Sequence, residues 1–356
     1  MKDGGFEMSV LKKARYVDAT KCTACGACVE KCPTKVDNAF DMNLGKRKAI
    51  YMYFAQGIPA VMTIDPEKCI YHKRIAAGKK PACQNCMKAC QAGAVDFEQK
   101  DEEVKIQVGS VIVATGLDLV DAKSLGSYGY GRYKNVITAL EYERLMSAAG
   151  PTSGHLKRLS KDEADPKKIA FLQCVGSRDL RHNKYCSSVC CMHSIKEAIL
   201  TRDHYPDTEV SIFYMDLRAV GKWFHKYRRR GEEEYGIRYV KGRVSHIDED
   251  KDSNLVLHYE EVTSDKIAKE TFDMVVLATG LRPSKGGEEL SKIFGFELDE
   301  YGFVKTDPLE PLDTTVDGIY VAGYAQSPKD IPETVAQTSG AAQRAAGKVL
   351  GAVAAR

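Results

Sequence analysis

Hydrophobic and polar residues alternate along several stretches of this chain and then merge into continuous apolar runs. Residues 104–116 alternate at first and end as an unbroken apolar run that closes on Ala-Thr-Gly. The same ending recurs at residues 273–280. Edge strands alternate, whereas parallel strands covered on both faces are apolar throughout. The pattern therefore predicts two buried strands that each end at a glycine turn, and a further strand near residues 6–17.

Between those two buried strands, strand patterns alternate with helix patterns. Strands are predicted at residues 168–173 and 209–214, and helices at 194–201 and near 221–235. This alternation is typical of an α/β nucleotide-type domain. A dinucleotide-binding domain, however, needs Gly-x-Gly-x-x-Gly after its first strand. Here that position reads Cys174-Val-Gly-Ser-Arg-Asp, so we do not expect a dinucleotide to bind there.

Near the C-terminus, a strand within residues 312–323 leads to an alanine-rich helix predicted at 334–355. Free N–H groups at a helix N-terminus favour negative charge. Such a terminus suits the pyrimidine edge of an isoalloxazine, where negative charge accumulates on reduction. An ordinary packed terminal helix is the alternative interpretation.

The composition is that of a globular protein long enough for two or three domains. The 356 residues are 44% hydrophobic and 28% charged, and the formal net charge is +3. A charge this small gives no indication of a nucleic-acid partner. No apolar run reaches the roughly 18 residues that a membrane-spanning helix needs, and no signal peptide opens the chain. We therefore expect a cytoplasmic protein without membrane insertion.

Twelve cysteines indicate metal or redox chemistry rather than structural disulfides in such a chain. They form three sets of four, namely Cys22, Cys25, Cys28 and Cys32; Cys69, Cys83, Cys86 and Cys90; and Cys174, Cys186, Cys190 and Cys191. The first set has the spacing C-x2-C-x2-C-x3-C-P, with which bacterial ferredoxins hold [4Fe-4S] clusters. The second set is a related motif with a longer first gap.

The two ferredoxin-type motifs are expected to exchange their fourth cysteines, as in two-cluster ferredoxins. One predicted ligand set is Cys22, Cys25, Cys28 and Cys90, and the other is Cys69, Cys83, Cys86 and Cys32. Zinc is the alternative, because paired C-x2-C motifs also form four-cysteine zinc sites. The closely spaced third cysteine and the proline after Cys32 favour iron and sulfide.

The third cysteine set lies in the nucleotide-type domain and has a different spacing. Since the two ferredoxin-type motifs account for eight of the twelve cysteines, the remaining four are predicted to bind a third [4Fe-4S] cluster. A redox-active disulfide among Cys186, Cys190 and Cys191 is the alternative. Disulfide-reducing flavoproteins use Cys-x-x-Cys for that purpose, and the spacing Cys-x3-Cys-Cys disfavours this alternative.

These patterns predict three α/β or cluster-binding domains. Residues 1–100 are assigned to a ferredoxin-like domain with two [4Fe-4S] clusters. Residues 166–282 are assigned to a degenerate nucleotide-type domain that carries the third cluster. Residues 101–165 and 283–356 form the domain around it, which the family resemblance described next assigns to portions of an FAD domain.

Several stretches of the chain resemble the A-subunit family of heterodisulfide reductase, and the resemblance covers nearly the whole sequence. They are the first ferredoxin-type motif, the two Ala-Thr-Gly strands and residues 173–179, 185–192 and 322–331. The resemblance implies a partial thioredoxin-reductase-like flavoprotein fold of the α/β class, with an inserted two-cluster ferredoxin-like domain. It also implies an oxidoreductase subunit that relays electrons between FAD and [4Fe-4S] clusters, with bifurcation as one form of that relay. The heterodisulfide chemistry itself is expected on another polypeptide, because no Cys-Cys-Gly cluster motif occurs here.

The resemblance also implies where FAD is contacted: at the two Ala-Thr-Gly turns, at the C-terminal glycine turn and at the start of the last helix. The residues concerned are Thr115, Gly116, Thr279, Gly280, Gly323, Tyr324, Lys329, Asp330, Ile331, Thr334 and Val335. Tyr324 stands where related flavoproteins often have aspartate. The glycine-rich fingerprint for the FAD pyrophosphate and the family's C-terminal ferredoxin domain do not occur in this sequence. We therefore expect partner subunits of a heterodisulfide-reductase-like complex, including a chain that supplies the missing FAD-binding half.

Two other functions fit the same residues. One is a flavin-dependent dithiol/disulfide reductase that acts through Cys186, Cys190 and Cys191. The other is a non-catalytic subunit that only connects the redox centres of its partners.

Overall fold

The computed structural model describes residues 5–160, 162–264 and 266–354, so the outer ends of the predicted domains lie outside the described residues. The chain divides into two compact units. The small unit consists of Glu7–Ile106 and Glu143–His155, and the large unit contains the rest of the chain.

The small unit is built from short strands that pair two by two. Its strands are β1 (Phe6–Lys12), β2 (Lys35–Asp37), β3 (Lys46–Lys48), β4 (Ile50–Tyr51), β5 (Thr63–Ile64) and β6 (Glu102–Val108), and the pairs are β1–β6, β2–β3 and β4–β5. Its short helices are α1 (Ala27–Glu30), α2 (Ile70–Ala76) and α3 (Asn85–Ala89). The first and last of these strands extend slightly beyond the bounds of the unit.

Cysteines form part of the small unit's hydrophobic core. Cys28, Cys32 and Cys86 are buried in one cluster with apolar side chains that include Tyr71 and Phe97. The rings of Tyr71 and Phe97 are stacked, with centroids 4.0 Å apart. The three thiols are therefore packing groups of this unit.

The large unit has one main sheet and two small ones. Its strands are β7 (Val111–Val113), β8 (Leu117–Leu119), β9 (Val136–Thr138), β10 (Lys168–Val175), β11 (Glu209–Tyr214), β12 (Arg238–Glu249), β13 (Leu255–Glu261), β14 (Lys266–Phe272), β15 (Met274–Thr279), β16 (Leu281–Pro283) and β17 (Ile319–Val321). Within the described residues the main sheet has seven strands in the order β14-β13-β12-β11-β10-β15-β9. The small sheets pair β7 with β17 in parallel and β8 with β16 antiparallel.

Five of the main-sheet strands run parallel, from β12 through β11, β10 and β15 to β9. Strands β13 and β14 continue from β12 as an antiparallel meander. The carboxyl ends of the neighbouring strands β10 and β15 therefore meet at one edge, where Val175 is paired with Thr279. In parallel sheets this edge is the usual place for ligands.

The helices that follow α3 are longer. They are α4 (Ala139–Met146), α5 (Cys190–His204), α6 (Phe224–Glu233), α7 (Lys285–Phe294) and α8 (Ile331–Ala354). None of the helices that the structure describes is both long and apolar enough to cross a bilayer.

Two helices begin earlier than the sequence predicts. Helix α5 begins at Cys190 rather than Ser194, and its N-cap Val189 offers no capping side chain that could mark the start in the sequence. Helix α8 begins at Ile331 rather than Thr334. Asp330 Oδ1 accepts a hydrogen bond from the Glu333 backbone N–H, and Glu333 Oε2 accepts one from the Asp330 N–H. This reciprocal pair is a capping box. The predicted last residue of this helix, number 355, lies outside the described residues.

We predict that Phe171→Ala strongly destabilises the large unit. Phe171 lies on the central strand β10, is fully buried, and contacts Tyr142 edge to face at a centroid distance of 5.2 Å. Removing a buried phenylalanine ring leaves a cavity and costs about 3–5 kcal/mol. Anaerobic denaturant titration of the free energy of unfolding tests this. Ile267→Ala is the matched control, because Ile267 is 87% exposed on β14, and a loss below about 1 kcal/mol for Phe171→Ala would contradict the prediction.

Candidate functional site

Four cysteines of the small unit line one small cavity, namely Cys32, Cys69, Cys83 and Cys86. The remaining walls include Ala49, Ile50 and Ile64. Cys69 is the residue before α2, and Cys86 lies within α3. Short helices and tight turns thus bring together thiols that are far apart in the sequence.

Burial and mutual proximity set the charge state of these thiols. Burial raises the pKa of Cys86 to about 12, and the neighbouring Cys69, Cys32 and Cys28 contribute to the rise. Burial also raises the pKa of Cys69, with smaller contributions from Cys32 and Cys83. Several thiolates can therefore share this cavity only if a cation compensates their charge.

A second group in the small unit surrounds Cys28. Burial raises the pKa of Cys28 to about 11, and Cys22 and Cys90 lie close enough to add to the rise. Cys25 is exposed. The fourth cysteine of each motif, Cys32 or Cys90, therefore lies with cysteines of the other motif. Ligation of clusters by these two groups stays a prediction.

The third cysteine set is assembled in the large unit around a small pocket lined by Cys174, Cys186, Cys190 and Cys191. Cys190 and Cys191 lie in the first turn of α5, and Cys174 lies near the end of β10. Cys174 has a φ of 58°, a left-handed conformation that turns the chain at the sheet edge.

Burial is again the main influence on the thiols of the third set. It raises the pKa of Cys191 to about 11 and raises that of Cys190 further, since nearly all of Cys190 is buried. Cys174 and Cys186 add to both increases. All twelve cysteines lie within the described residues and are free thiols there.

Polar groups that the sequence analysis did not identify surround the third set. The Arg178 guanidinium pairs with the Asp216 carboxylate, and Arg178 opposes the rise in the pKa of the Cys174 thiol. The backbone N–H of Arg218 donates to Cys191 Sγ over 3.4 Å. N–H groups that donate to sulfur tune the potential of iron-sulfur clusters. Arg178 lies within the motif at residues 173–179. Its partner Asp216 lies in the loop after β11, and the sequence alone does not indicate that the two residues meet.

The donor chemistry of the three cysteine groups fits the metal clusters predicted for them. Each group offers sulfur ligands in a partly buried site, where accumulated negative charge needs compensation. Zinc is compatible with the same sulfur atoms. The grouping of the sulfur donors is therefore compatible with metal centres, and the motif spacing favours iron and sulfide for the two ferredoxin-type sets.

Two of the predicted FAD-contacting residues lie beside the third cysteine set. The buried Tyr324 donates its hydroxyl hydrogen to the backbone oxygen of Ser187 over 3.3 Å. The backbone oxygen of Thr279 lies 3.9 Å from Cys190 Sγ. The C-terminal glycine turn is therefore in direct contact with the loop that carries the third set.

The other predicted FAD-contacting residues occupy three turns. Gly116, after β7, and Gly323, after β17, have φ values of 71° and 70°, whereas Gly280 donates its backbone N–H to Val175. At the start of α8, Ile331 and Val335 are exposed. The remaining predicted contacts are Thr115 before Gly116, Asp330 at the N-cap of α8, Thr334 in its first turn, and Lys329 before the helix. Their contacts with FAD stay predictions.

Lys329 holds together the turn that connects β17 to α8. Its Nζ lies 2.9 Å from each of four oxygens: the backbone oxygens of Gly323 and Ser327, Oε1 of Gln326 and Oγ of Ser327. Burial lowers the pKa of Lys329 to about 8, and Glu333 partly offsets this effect. A half-buried ammonium among neutral acceptors organises this turn.

We predict that Lys329 makes stability depend on pH. Its pKa is about 8 in the folded protein and 10.5 ordinarily, so the unfolded state binds more protons between these values. The wild type should therefore gain stability relative to Lys329→Met as the pH rises above about 8. Below that pH both states carry the charge, and the difference should be constant. Anaerobic unfolding of both proteins between about pH 7 and pH 9.5 tests the sign, and a difference that does not change would contradict it.

Two family models match the chain. The model described as "4Fe-4S binding domain" matches residues 15–36, and the model described as "Pyridine nucleotide-disulphide oxidoreductase" matches residues 209–345. The first includes the whole C-x2-C-x2-C-x3-C-P motif, so the expected [4Fe-4S] binding is supported for this segment. Together with the mixed α/β structure, the two matches confirm the predicted fold class.

Curated relatives match nearly the full length of the chain. The A subunit of the H(2):CoB-CoM heterodisulfide,ferredoxin reductase of Methanothermobacter thermautotrophicus is 46% identical over 346 residues, which is 96% of this chain and 51% of the relative. The iron-sulfur A subunit of the CoB--CoM heterodisulfide reductase of Methanocaldococcus jannaschii is 48% identical over 343 residues, covering 95% and 50%. This chain spans about half the length of these relatives.

The solved structures that resemble the chain are more distant. Thioredoxin reductase from T. acidophilum has a TM-score of 0.45 and 18% identity, and the match covers 70% of this chain and 69% of that one. A likeness at this level carries no weight for fold or function. The curated relatives, by contrast, match the motifs and nearly all of the sequence, and they confirm the predicted resemblance. The chain belongs to the A-subunit family of heterodisulfide reductase, and it corresponds to about half the length of the family members it matches.

Proposed function

We propose that this chain is an electron-transferring oxidoreductase subunit of the heterodisulfide reductase A type. The observation that carries the proposal is the contact between the turn at Tyr324 and the loop of the third cysteine set. If FAD and a cluster occupy these two neighbouring places, electrons need to cross only a short distance between them. The relatives that match the chain are named as subunits of reductases, which supports the same role.

The twelve cysteines would hold three [4Fe-4S] clusters. When bound, such clusters exchange single electrons, whereas FAD accepts a pair. Apolar side chains such as Ile50 and Ile64 would exclude water from the cluster site of the small unit. In the large unit, the backbone N–H of Arg218 and the guanidinium of Arg178 would favour negative charge on the sulfur ligands.

FAD would be held at the turns that end β7, β15 and β17 and at the N-terminus of α8. Gln337 already binds the turn at Gly323, because its Oε1 accepts the Gly323 N–H over 2.8 Å. The N-terminus of α8 would face the flavin ring with the positive end of its helix dipole and with the Ile331 N–H. Pro332 has no N–H, and the N–H groups of Glu333 and Thr334 already donate to Asp330. Partner subunits would provide the electron donor, the final acceptor and the remaining part of the FAD site. In the more specific version of this function, FAD would bifurcate the electron pairs that it receives.

Anaerobic purification of the chain, alone and together with every chain that copurifies with it, tests this function. We expect about twelve iron and about twelve sulfide per chain, and a flavin absorbance in the complex. About eight of each, with a dithiol that titrates in the third set, would favour a flavin-dependent disulfide reductase instead. Clusters that dithionite reduces in a complex without flavin would favour a subunit that only connects its partners. Mass spectrometry of the native complex would identify those partners.

A further inference from the structure

Two histidines and an aspartate meet on the meander of the large unit, on the strands β12 and β13. His246 and His258 are paired directly across the two strands, and Asp248 follows His246 on the same strand. The ligand atoms of the three side chains all lie within 4.8 Å of one another. These residues belong to none of the three cysteine sets and to none of the predicted FAD-contacting turns.

The two imidazoles are arranged in parallel next to the carboxylate. Their ring centroids are 4.0 Å apart, and the angle between the planes is 23°. Asp248 Oδ2 lies 2.8 Å from Nε2 of His258 and 3.8 Å from Nε2 of His246. The same nitrogen of each ring is therefore directed at one carboxylate oxygen.

Ser245 fixes the tautomer of His246. The strand pairing shifts between Val244 and His246, and this irregularity leaves both Ser245 and His246 exposed in succession. Ser245 Oγ donates to the backbone oxygen of His258 over 3.0 Å and lies 3.0 Å from His246 Nδ1. Because the hydroxyl has one proton and donates it to that oxygen, it accepts from Nδ1–H. Nε2 of a neutral His246 then keeps its lone pair free.

The opposite face of these two strands is anchored in the core. Val244, Ile247, Leu255 and Leu257 are buried in the main hydrophobic cluster of the large unit. His258 is largely buried, with 13% of its side chain exposed, whereas His246 and Asp248 are open to solvent at 48% and 59%. The three side chains therefore stand on a rigid sheet with one side accessible to an ion.

We propose that His246, Asp248 and His258 form a binding site for a divalent transition-metal ion of the zinc class, with the fourth ligand position open. Two imidazoles select such ions over Mg²⁺ and Ca²⁺, which prefer oxygen. Ligands about 2.0–2.1 Å from a tetrahedral zinc are roughly 3.4 Å from one another, so small side-chain rotations close the site. The ion takes the place of a proton between Nε2 of His258 and Oδ2 of Asp248, and that proton is released to solvent. Ser245 is a positioning residue, because it orients His246 without touching the ion.

The test uses anaerobic protein whose iron-sulfur sites are filled, so that cysteines do not capture the probe ion. One equivalent of Zn²⁺ is added, and its binding is followed by calorimetry and by zinc-edge X-ray absorption. We expect one zinc per chain with only nitrogen and oxygen ligands near about 2.0 Å. His258→Ala should weaken binding by more than tenfold, and Ser245→Ala by about tenfold through loss of orientation. His204→Ala is the matched control, since His204 is exposed at the end of α5 and should leave binding unchanged.

Three results would overturn the proposal. The first is no stoichiometric binding of zinc to the cluster-loaded protein. The second is a sulfur shell near about 2.3 Å, which would place the ion on cysteines. The third is binding that His246→Gln and His258→Ala both leave unchanged. Each variant should keep the iron content and the thermal unfolding temperature of the wild type. A change in zinc binding then reports the loss of the side chain and not a loss of folding.

Discussion

Replacing Cys190 with serine is expected to remove about four iron and about four sulfide from each chain. Cys190 lies in the first turn of α5, is buried, and faces a pocket shared with Cys174, Cys186 and Cys191. A serine hydroxyl is a much weaker ligand for iron than a thiolate, and the other three sulfurs of the pocket are already needed as ligands. Iron and sulfide analysis of anaerobically purified protein measures the loss. The electron paramagnetic resonance signals of the reduced small-unit clusters should remain.

Ser194→Ala is the matched control for Cys190→Ser. Ser194 is fully buried one turn further along α5, so its substitution disturbs the same helix without removing a sulfur. It should retain the iron content of the wild type. An unchanged iron content in Cys190→Ser would show that the third set binds no cluster. That result would favour a redox-active disulfide among Cys186, Cys190 and Cys191.

We predict that double cysteine variants lose iron in a pattern that reveals which cluster Cys32 and Cys90 each complete. If Cys90 completes the site of Cys22, Cys25 and Cys28, then Cys25→Ser and Cys90→Ser damage the same cluster. The double variant should lose about four iron, no more than either single variant. Cys25→Ser combined with Cys32→Ser should instead lose about eight iron, because Cys32 lies with Cys69 and Cys83.

The opposite pattern would contradict the exchange. If each sequence motif holds its own cluster, the pair Cys25 and Cys32 would lose about four iron and the pair Cys25 and Cys90 about eight. The two double variants remove the same number of thiols from the same unit, so each serves as the control for the other. Non-additivity of this kind reports residues that act on one centre.

The buried strands of the main sheet were predictable because their sequences are continuously apolar, whereas the strand predicted to be buried before Gly116 is β7, whose Ile112 is 39% exposed. Strands β10, β11 and β15 lie where the pattern places them, and Ala170, Ile212 and Val275 are buried at their centres. The meander of β12, β13 and β14 was not predicted. Its residues alternate as exposed strands should, for instance along Arg238–Glu249, but the irregularity at Ser245 interrupts the period and weakens the signal.

The grouping of the cysteines could be predicted from their spacing and their number, whereas their surroundings could not. Sequence spacing reports which thiols a short loop can bring together, and it gave the first two sets, whereas the third set was assigned because its four cysteines remained. Arg178 and Asp216 are 38 residues apart and meet only because β10 and β11 are adjacent parallel strands. The contact of Tyr324 with Ser187 spans 137 residues. Such contacts depend on sheet order, which no local pattern specifies.

The buried thiols of the small unit have a consequence for the lifetime of the protein. Cys28, Cys32 and Cys86 belong to its interior, so if the proposed clusters occupy this unit, their loss to oxygen would also remove part of its packing. The unit would then open more often, and proteases cut opened chains. Oxidation of the proposed clusters would therefore make the polypeptide itself more susceptible to proteolysis.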